Sequence, residues 1–267
     1  MLAATWQVAK NLIEPPQNHM SDRPSIIISD LHLGAVPRAH EEAFIAFLAE
    51  VPERTGDFVI NGDLFDFWFE YGSVVLRGHF QVLRALADVV DAGVRVRLVG
   101  GNHDAWGGPF LRDEVGIELV AGPVITQVGG RRTFLAHGDG LGKGDVAHKI
   151  FRRVSRHRWT IAAFRLVHPG LALRFAGGAS VTERNFERGD EDADLRARRL
   201  SEFATATLRD DETLDLIALG HSHQPELVEA APGRFYLNTG DWLRHFSYGV
   251  VSTEEVRLET WDVKGAG

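Results

Sequence analysis

Apolar residues fall into short, separated runs along this chain, and the first three runs alternate with two stretches of helical spacing. Ser25-Ile26-Ile27-Ile28-Ser29 is apolar and β-branched at its centre, the pattern of a strand covered on both faces. Residues 38–51 then place Ala43, Phe44, Phe47, Leu48 and Val51 on one helical face. Phe58-Val59-Ile60 reads as the next strand. Residues 74–92, with Val75, Leu83, Leu86, Val89 and Val90, read as a second amphipathic helix, and Val94 to Val99 as a third strand. This β-α-β-α-β order predicts a sheet with crossover helices.

The second half has a different rhythm. Ile117 to Val120, Val124 to Val128, Thr133 to Ala136, Leu214 to Leu219, Phe235 to Leu237, Tyr248 to Ser252 and Val256 to Trp261 are short strand candidates. Turn residues separate them, at Gly122-Pro123, Gly129-Gly130, Pro232-Gly233 and Thr253-Glu254-Glu255, which predicts a mainly antiparallel meander. Two sheets packed face to face, with helices outside, accommodate both halves. Residues 140–210 interrupt the meander. From Val146 to Thr182 there is no Asp or Glu, while Lys149, Arg152, Arg153, Arg156, Arg158, Arg165 and Arg174 all fall there. Val146, Ile150, Phe151 and Val154 share a helical face, and Trp159, Ile161, Phe164, Leu166 and Val167 come after them. A basic and apolar helical insertion over about residues 144–208 is expected.

Composition narrows the classes. A chain of 267 residues, 44% hydrophobic and 25% charged, can bury a sizeable globular core. The absence of cysteine removes disulfides and thiolate metal sites, so any metal must be held by oxygen and imidazole. A formal net charge of -8 argues against a general nucleic-acid binder. No apolar run approaches the ~18 residues of a membrane span. Residues 1–20 lack the basic start and long apolar centre of a signal peptide, and Pro15-Pro16 breaks them from the first strand. They read as a loosely docked helix, or as an upstream start with Met20 the initiator. An N-terminal extension over 1–24, a single domain over 25–267 and a cytoplasmic location are therefore expected.

Chemistry-bearing residues cluster where strands should end. The segments are Asp30-Leu31-His32, Gly62-Asp63-Leu64-Phe65-Asp66, Gly101-Asn102-His103-Asp104, His137-Gly138-Asp139 and Gly220-His221-Ser222-His223. Alone, Asp-x-His is ordinarily a turn or cap, Gly-Asp-x-x-Asp a helix cap, and a single histidine a satisfied core or surface group. Five in order, each after an apolar run, assemble carboxylates, an amide and imidazoles next to glycines, the ligand inventory of a two-metal hydrolytic site. Asp30 and His32, like His221 and His223, are two residues apart and project to one side of an extended segment. A lone Asp63 between two such ends is placed to bridge two cations.

These five segments resemble the motifs of the calcineurin-like metallophosphoesterase superfamily, complete and in order from Asp30 to His223. The resemblance implies a four-layer α/β/β/α sandwich. It implies one metal held by Asp30, His32, Asp63 and His223, and another by Asp63, Asn102, His137 and His221. That oxygen and nitrogen set suits Mn²⁺ and accepts Fe²⁺, Zn²⁺ or Co²⁺. It also implies a hydroxide between the two cations attacking phosphorus in line with the leaving oxygen. His103 would touch the scissile phosphate or protonate the leaving group, with Asp104 orienting it. Asp66 and Asp139 are expected to bond the ligands or the loop backbone rather than the metals.

A closer resemblance is to the UDP-2,3-diacylglucosamine pyrophosphohydrolase family of lipid A biosynthesis. It is carried by Ser29 to Gly34, Gly62 to Trp68, His137 to Leu141 with Asp145, and a helical insertion before Gly-His-Ser-His. That family implies release of UMP and a diacylglucosamine 1-phosphate. The insertion agrees, since a diphosphate with two acyl chains needs cations, apolar walls and access to an anionic membrane surface. Arg152, Arg153, Arg156 and Arg158 are the candidates for phosphate or headgroup contacts. A helical pair covering the sheet with solvated arginines is the plainer alternative. One residue departs from the pattern: the best-known branch of that family has arginine where this chain has His103. The chain therefore falls in a related branch or with a different phosphoesterase. A phosphodiesterase for soluble phosphoesters and a non-catalytic binding scaffold are the competing expectations, and the oligomeric state is left open.

Overall fold

The computed structural model describes residues 23–71, 74–101, 108–141, 159–160, 164, 166–171 and 193–263. Among these residues eleven strands form two sheets. In chain order they are β1 (Ser25–Ile28), β2 (Asp57–Ile60), β3 (Arg95–Val99), β4 (Glu118–Val120), β5 (Val124–Val128), β6 (Arg131–Leu135), β7 (Leu216–Leu219), β8 (Pro225–Ala231), β9 (Arg234–Thr239), β10 (Ser247–Val251) and β11 (Val256–Thr260). The first sheet has the order β11-β10-β1-β2-β3-β4, and the second β5-β6-β7-β9-β8. Helices α1 (Arg38–Arg54) and α2 (Phe80–Asp91) come after β1 and β2, and α3 (Ala193–Asp210) precedes β7.

Strand alternation explains the layers. Ile26 and Ile28 face α1 and α2, together with Phe58, Ile60, Val96 and Leu98. Their neighbours of opposite parity, Ile27, Val59 and Val99, meet Leu135, Leu216, Ala218 and Leu237 between the sheets. On the far side, α3 lays Leu200, Ala204 and Leu208 against Ile125, Phe134, Ile217 and Tyr236 of the second sheet. The result is the α/β/β/α sandwich. Among the described residues no side chain caps the N-terminus of α1 or α2, so both helices rest on the packing of their apolar faces.

Several elements differ from the sequence expectation. The second half is not one meander: β10 and β11 join the first sheet, β10 antiparallel to β1. Within the second sheet β6, β7 and β9 run parallel, because a long crossover carrying α3 separates β6 from β7. Hydrophobic alternation marks a strand but not its partner. Strand β8 carries no clear strand signal in the sequence because it opens with Pro225 and carries Glu226 and Glu229, features tolerated on the sheet edge that it forms. The helix expected over 74–92 starts later, as a 3₁₀ turn at Arg77–His79 leading into α2. Helix α3 is the outer layer of the sandwich, although residues 193–208 fall within the stretch expected to be an insertion.

A polar tie holds the amino ends of the central strands between the sheets. Arg97 is fully buried and grips Asp57 with two hydrogen bonds, Nε to Oδ1 at 2.9 Å and Nη2 to Oδ2 at 2.5 Å. Ser25 Oγ donates to Asp57 Oδ2 at 2.6 Å and accepts the Gly129 N–H at 2.8 Å, which joins the β5–β6 turn to the first sheet. Removing one member of such a pair leaves a buried charge without its counterion. Asp57→Ala should therefore lower stability by about 3–5 kcal/mol. Adding Arg97→Met should recover a large part of the loss in urea unfolding; two additive losses would contradict the coupling.

Candidate metal centre

The parallel strands stop side by side. Ile28 pairs with Ile60 and Ile60 with Leu98, while Leu135 pairs with Ala218 and Ala218 with Leu237. The loops after these strands therefore open at one edge of both sheets. Backbone bonds stitch them together: Asp30 N to Gly62 O (3.1 Å), His32 N to Asp63 O (2.9 Å) and Gly220 N to His137 O (2.7 Å). Asn61, fully buried, ties the sheets together through Nδ2 bonds to Ala136 O at 2.9 Å and Ala218 O at 3.3 Å.

The turns beyond the strand ends are tight enough to force left-handed backbone. Asp30, His32, Asp63, His221 and His223 all have positive φ, between 46° and 68°. Among the described residues the only other non-glycine with positive φ is Phe246, at 49°. Such conformations are costly for residues with a Cβ and collect where function holds them. Glycine is required beside them for a different reason. A Cβ on Gly101 would fall into the carboxylate and backbone of Asp63, and one on Gly62 into the ring of His137.

The side chains converge in a buried cluster. His32 Nε2 lies 3.8 Å from Asp30 Oδ1 and 3.8 Å from Asp63 Oδ2. His223 Nε2 lies 3.5 Å from Asp30 Oδ1, and His137 Nε2 lies 3.1 Å from Asp63 Oδ2 and 3.9 Å from Asp30 Oδ1. His221 stands beside them, its ring 5.3 Å from that of His137 and its backbone N–H bonded to Asp30 Oδ2 at 2.9 Å. Two overlapping sets can each close on a cation: Asp30, His32 and His223, and Asp30, Asp63 and His137. Asp30 Oδ1 and His137 Nε2 are buried without a hydrogen-bond partner among the described residues. A divalent cation supplies the missing partner for both atoms, and the oxygen and imidazole donor set fits Mn²⁺, Fe²⁺, Zn²⁺ or Co²⁺.

The electrostatics reflect this crowding. Burial opposes ionisation of Asp30, but the charges of His137 and His223 and the nearby His32 imidazole overcome it and hold the carboxyl down at about 2. Burial likewise opposes the charged form of His32, yet Asp30 and Asp66 push its imidazole up to about 10. Burial is also outweighed at His137, where Asp63 and Asp30 raise the imidazole well above its ordinary value. Burial, helped by the charge of His137, pushes His221 down to about 3. The shifts favour protons on His32 and His137, at nitrogens that a cation would claim.

Of the residues expected at the site, the structure brings together Asp30, His32, Asp63, His137, His221 and His223. Asp66, expected beside a ligand, has Oδ1 at 3.6 Å from His32 Nδ1. Asn102, His103 and Asp104, and Arg152, Arg153, Arg156 and Arg158, lie outside the described residues. Two contributors escaped the sequence reading. The backbone carbonyl of Asn61 faces His137 Nδ1 at 2.9 Å and leaves Nε2 to point into the site. Asp241, in the turn after β9, faces His223 Nδ1 at 3.4 Å. A carbonyl leaves no sequence signal, and Gly240-Asp241-Trp242 looks like any turn.

Residues 24–225 match the family model described as calcineurin-like phosphoesterase. The chain belongs to that family. It is accordingly a metal-dependent phosphoesterase, and the cluster above supplies Asp and His groups suited to the divalent metals that the family implies. It is similar to the UDP-2,3-diacylglucosamine hydrolase of Porphyromonas gingivalis, with 28% identity covering 88% of this chain and 96% of the relative. Similarity to the enzyme of the same name from Ralstonia nicotianae is 31% identity over 82% of this chain and 84% of the relative. For that of Escherichia coli it is 26% over 88% and 97%.

Two measurements probe the centre of this phosphoesterase. Gly101→Ala should lower metal affinity by about 10–100-fold by displacing Asp63, as loss of ligand orientation does in metal sites generally. Gly78→Ala, whose Cβ would meet nothing within 4 Å, should bind metal as the parent does. Because protons on His32 and His137 must leave before metal enters, loading should release protons. Apparent affinity should then rise by about tenfold per pH unit for each proton displaced. Calorimetry in buffers of different ionisation enthalpy between pH 6 and 8 reads this directly; a pH-independent affinity would refute it.

Proposed function

We propose that this phosphoesterase cleaves the pyrophosphate of UDP-2,3-diacylglucosamine, giving UMP and 2,3-diacylglucosamine 1-phosphate in lipid A biosynthesis. The carrying observation is that relatives bearing that enzyme name align over nearly their whole length with a chain whose Asp and His residues gather in one buried cluster. In this reading Asp30, His32, Asp63 and His223 hold one divalent cation, and Asp63, Asn102, His137 and His221 the other, with Mn²⁺ the best-suited ion. Such a pair supplies charge for the phosphoryl oxygens and activates water. His103 contacts the scissile phosphate or the leaving oxygen, and Asp104 orients it.

The chain's own residues do the rest. Asp30 stays ionised in a dry setting, beside the equally buried Asp63, where its charge is felt most strongly. Asn61 aims His137 Nε2 into the site. The basic stretch supplies Arg152, Arg153, Arg156 and Arg158 for the diphosphate and for anionic headgroups, and its apolar residues meet the acyl chains. Two features favour a lipid. Trp159 is 68% exposed and Leu166 89% exposed in that segment, a poor arrangement for a surface that meets only water. Phe164 reaches Phe67 and Phe69, with ring centroids 5.9 and 4.8 Å apart, and so links the segment to the loop carrying Asp63. No helix among the described residues is long and apolar enough to cross a membrane, and peripheral attachment at the cytoplasmic face suits a substrate drawn from the bilayer.

The departure at His103 keeps one competitor, a phosphodiesterase for soluble phosphoesters. Incubation with UDP-2,3-diacylglucosamine and Mn²⁺, with mass spectrometry of the products, separates them. The expected outcome is UMP plus the lipid phosphate. The kcat/KM should exceed that for bis-p-nitrophenyl phosphate by at least about a hundredfold, because the remote sugar and acyl groups contribute to transition-state binding. Turnover of the lipid substrate no better than of the small diester would favour the soluble reading.

A further inference from the structure

We propose that Asp241 is a positioning residue for one half of the metal centre: it holds His223 as the Nδ1–H tautomer and leaves Nε2 bare toward the cation. The geometry of His223 points both ways at once. Its Nδ1 faces Asp241 Oδ2 at 3.4 Å, and its Nε2 faces Asp30 Oδ1 at 3.5 Å inside the cluster. A neutral imidazole carries one proton, and the partner of one nitrogen decides what the other can do.

Asp241 is itself tightly held. It is 2% exposed. Its Oδ1 accepts the backbone N–H groups of Leu243 (3.3 Å), Arg244 (3.0 Å) and His245 (3.0 Å), and lies 3.1 Å from His245 Nδ1. That leaves Oδ2 for His223. The turn is anchored in turn by Trp242, whose backbone N–H bonds to Asp30 O at 3.1 Å and whose Nε1 donates to Ser247 O at 3.1 Å. The Trp242 ring is buried against Phe44 and Phe47. Phe246, a non-glycine residue with positive φ, closes the same turn. A sixth strand-end segment, Asn238 to Phe246, thus belongs to the site although it offers no cation a ligand.

The effect is one-sided. His223 stacks on His32, with ring centroids 5.0 Å apart and planes at 19°, so turning His223 disturbs the group formed with Asp30 and His32. His137, in the other group, takes its orientation from Asn61 instead. Asp241→Asn separates positioning from support. The amide oxygen can still accept the three backbone N–H groups, but its NH₂ then faces His223. Two donors cannot share that contact, so the imidazole is driven to bare Nδ1 and carry its proton on Nε2, where metal should bind.

This inference rests on the metal centre and not on the UDP-sugar substrate, so the test uses metal alone. Calorimetric titration of the metal-free full chain with Mn²⁺ should show two ions in the parent protein. In Asp241→Asn it should show one ion bound as before and one about 10–100-fold weaker. Two sites of parental affinity would overturn the proposal, as would equal weakening of both. If the variant does not fold, the histidine ¹⁵N spectrum of the Zn²⁺-loaded parent decides. It should show His223 protonated at Nδ1, and protonation at Nε2 would overturn the proposal.

Discussion

Two buried carboxylates and three imidazoles, linked by contacts shorter than 4 Å, set the terms for the rest of this structure. Asp30, His32 and Asp63 are each no more than 1% exposed, and His137 is 2% exposed. Taking one such charge out of water costs several kcal/mol unless opposite charge or metal replaces the lost hydration. Held apart, these groups would resist burial; held together, they form a cluster suited to a cation. The fold has to force the second outcome before any metal arrives.

It does so through strand termini. Parallel strands in register end at one level, and the sandwich brings the ends of two sheets to one edge. Turns tight enough to aim successive side chains inward need left-handed backbone at the clustered Asp and His positions themselves, at roughly 1–3 kcal/mol for each non-glycine residue. The apolar layers on either side of both sheets offset that strain. At the opposite end, Ser25, Asp57 and Arg97 tie the same three strands across the inter-sheet space. A rigid far end and strained near end suit a site whose ligands must not drift.

The residues that gather in the cluster were legible because their chemistry is local. Each motif joins an apolar run, a glycine and a donor, and that combination survives in one dimension. The groups that aim those donors were not legible. Asn61 acts on His137 through a backbone carbonyl that any residue could supply, across 76 positions of sequence. Asp241 meets His223 only because β9 lies beside β7 in the second sheet. The meander failed for the same reason: alternation shows that β10 and β11 are strands, while their seat beside β1 depends on an exposed sheet edge elsewhere in the chain.

By itself, the sequence determined the alternation of strands and helices in the first half, the oxygen and imidazole character of the site, and the class of reaction. All of these depend on residue type and short spacing. Tertiary structure alone decided which strands share a sheet, which nitrogen of each histidine faces inward, and that the turn after β9 belongs to the centre. Those outcomes depend on non-local pairing and on where a buried partner happens to stand, and no local pattern encodes either.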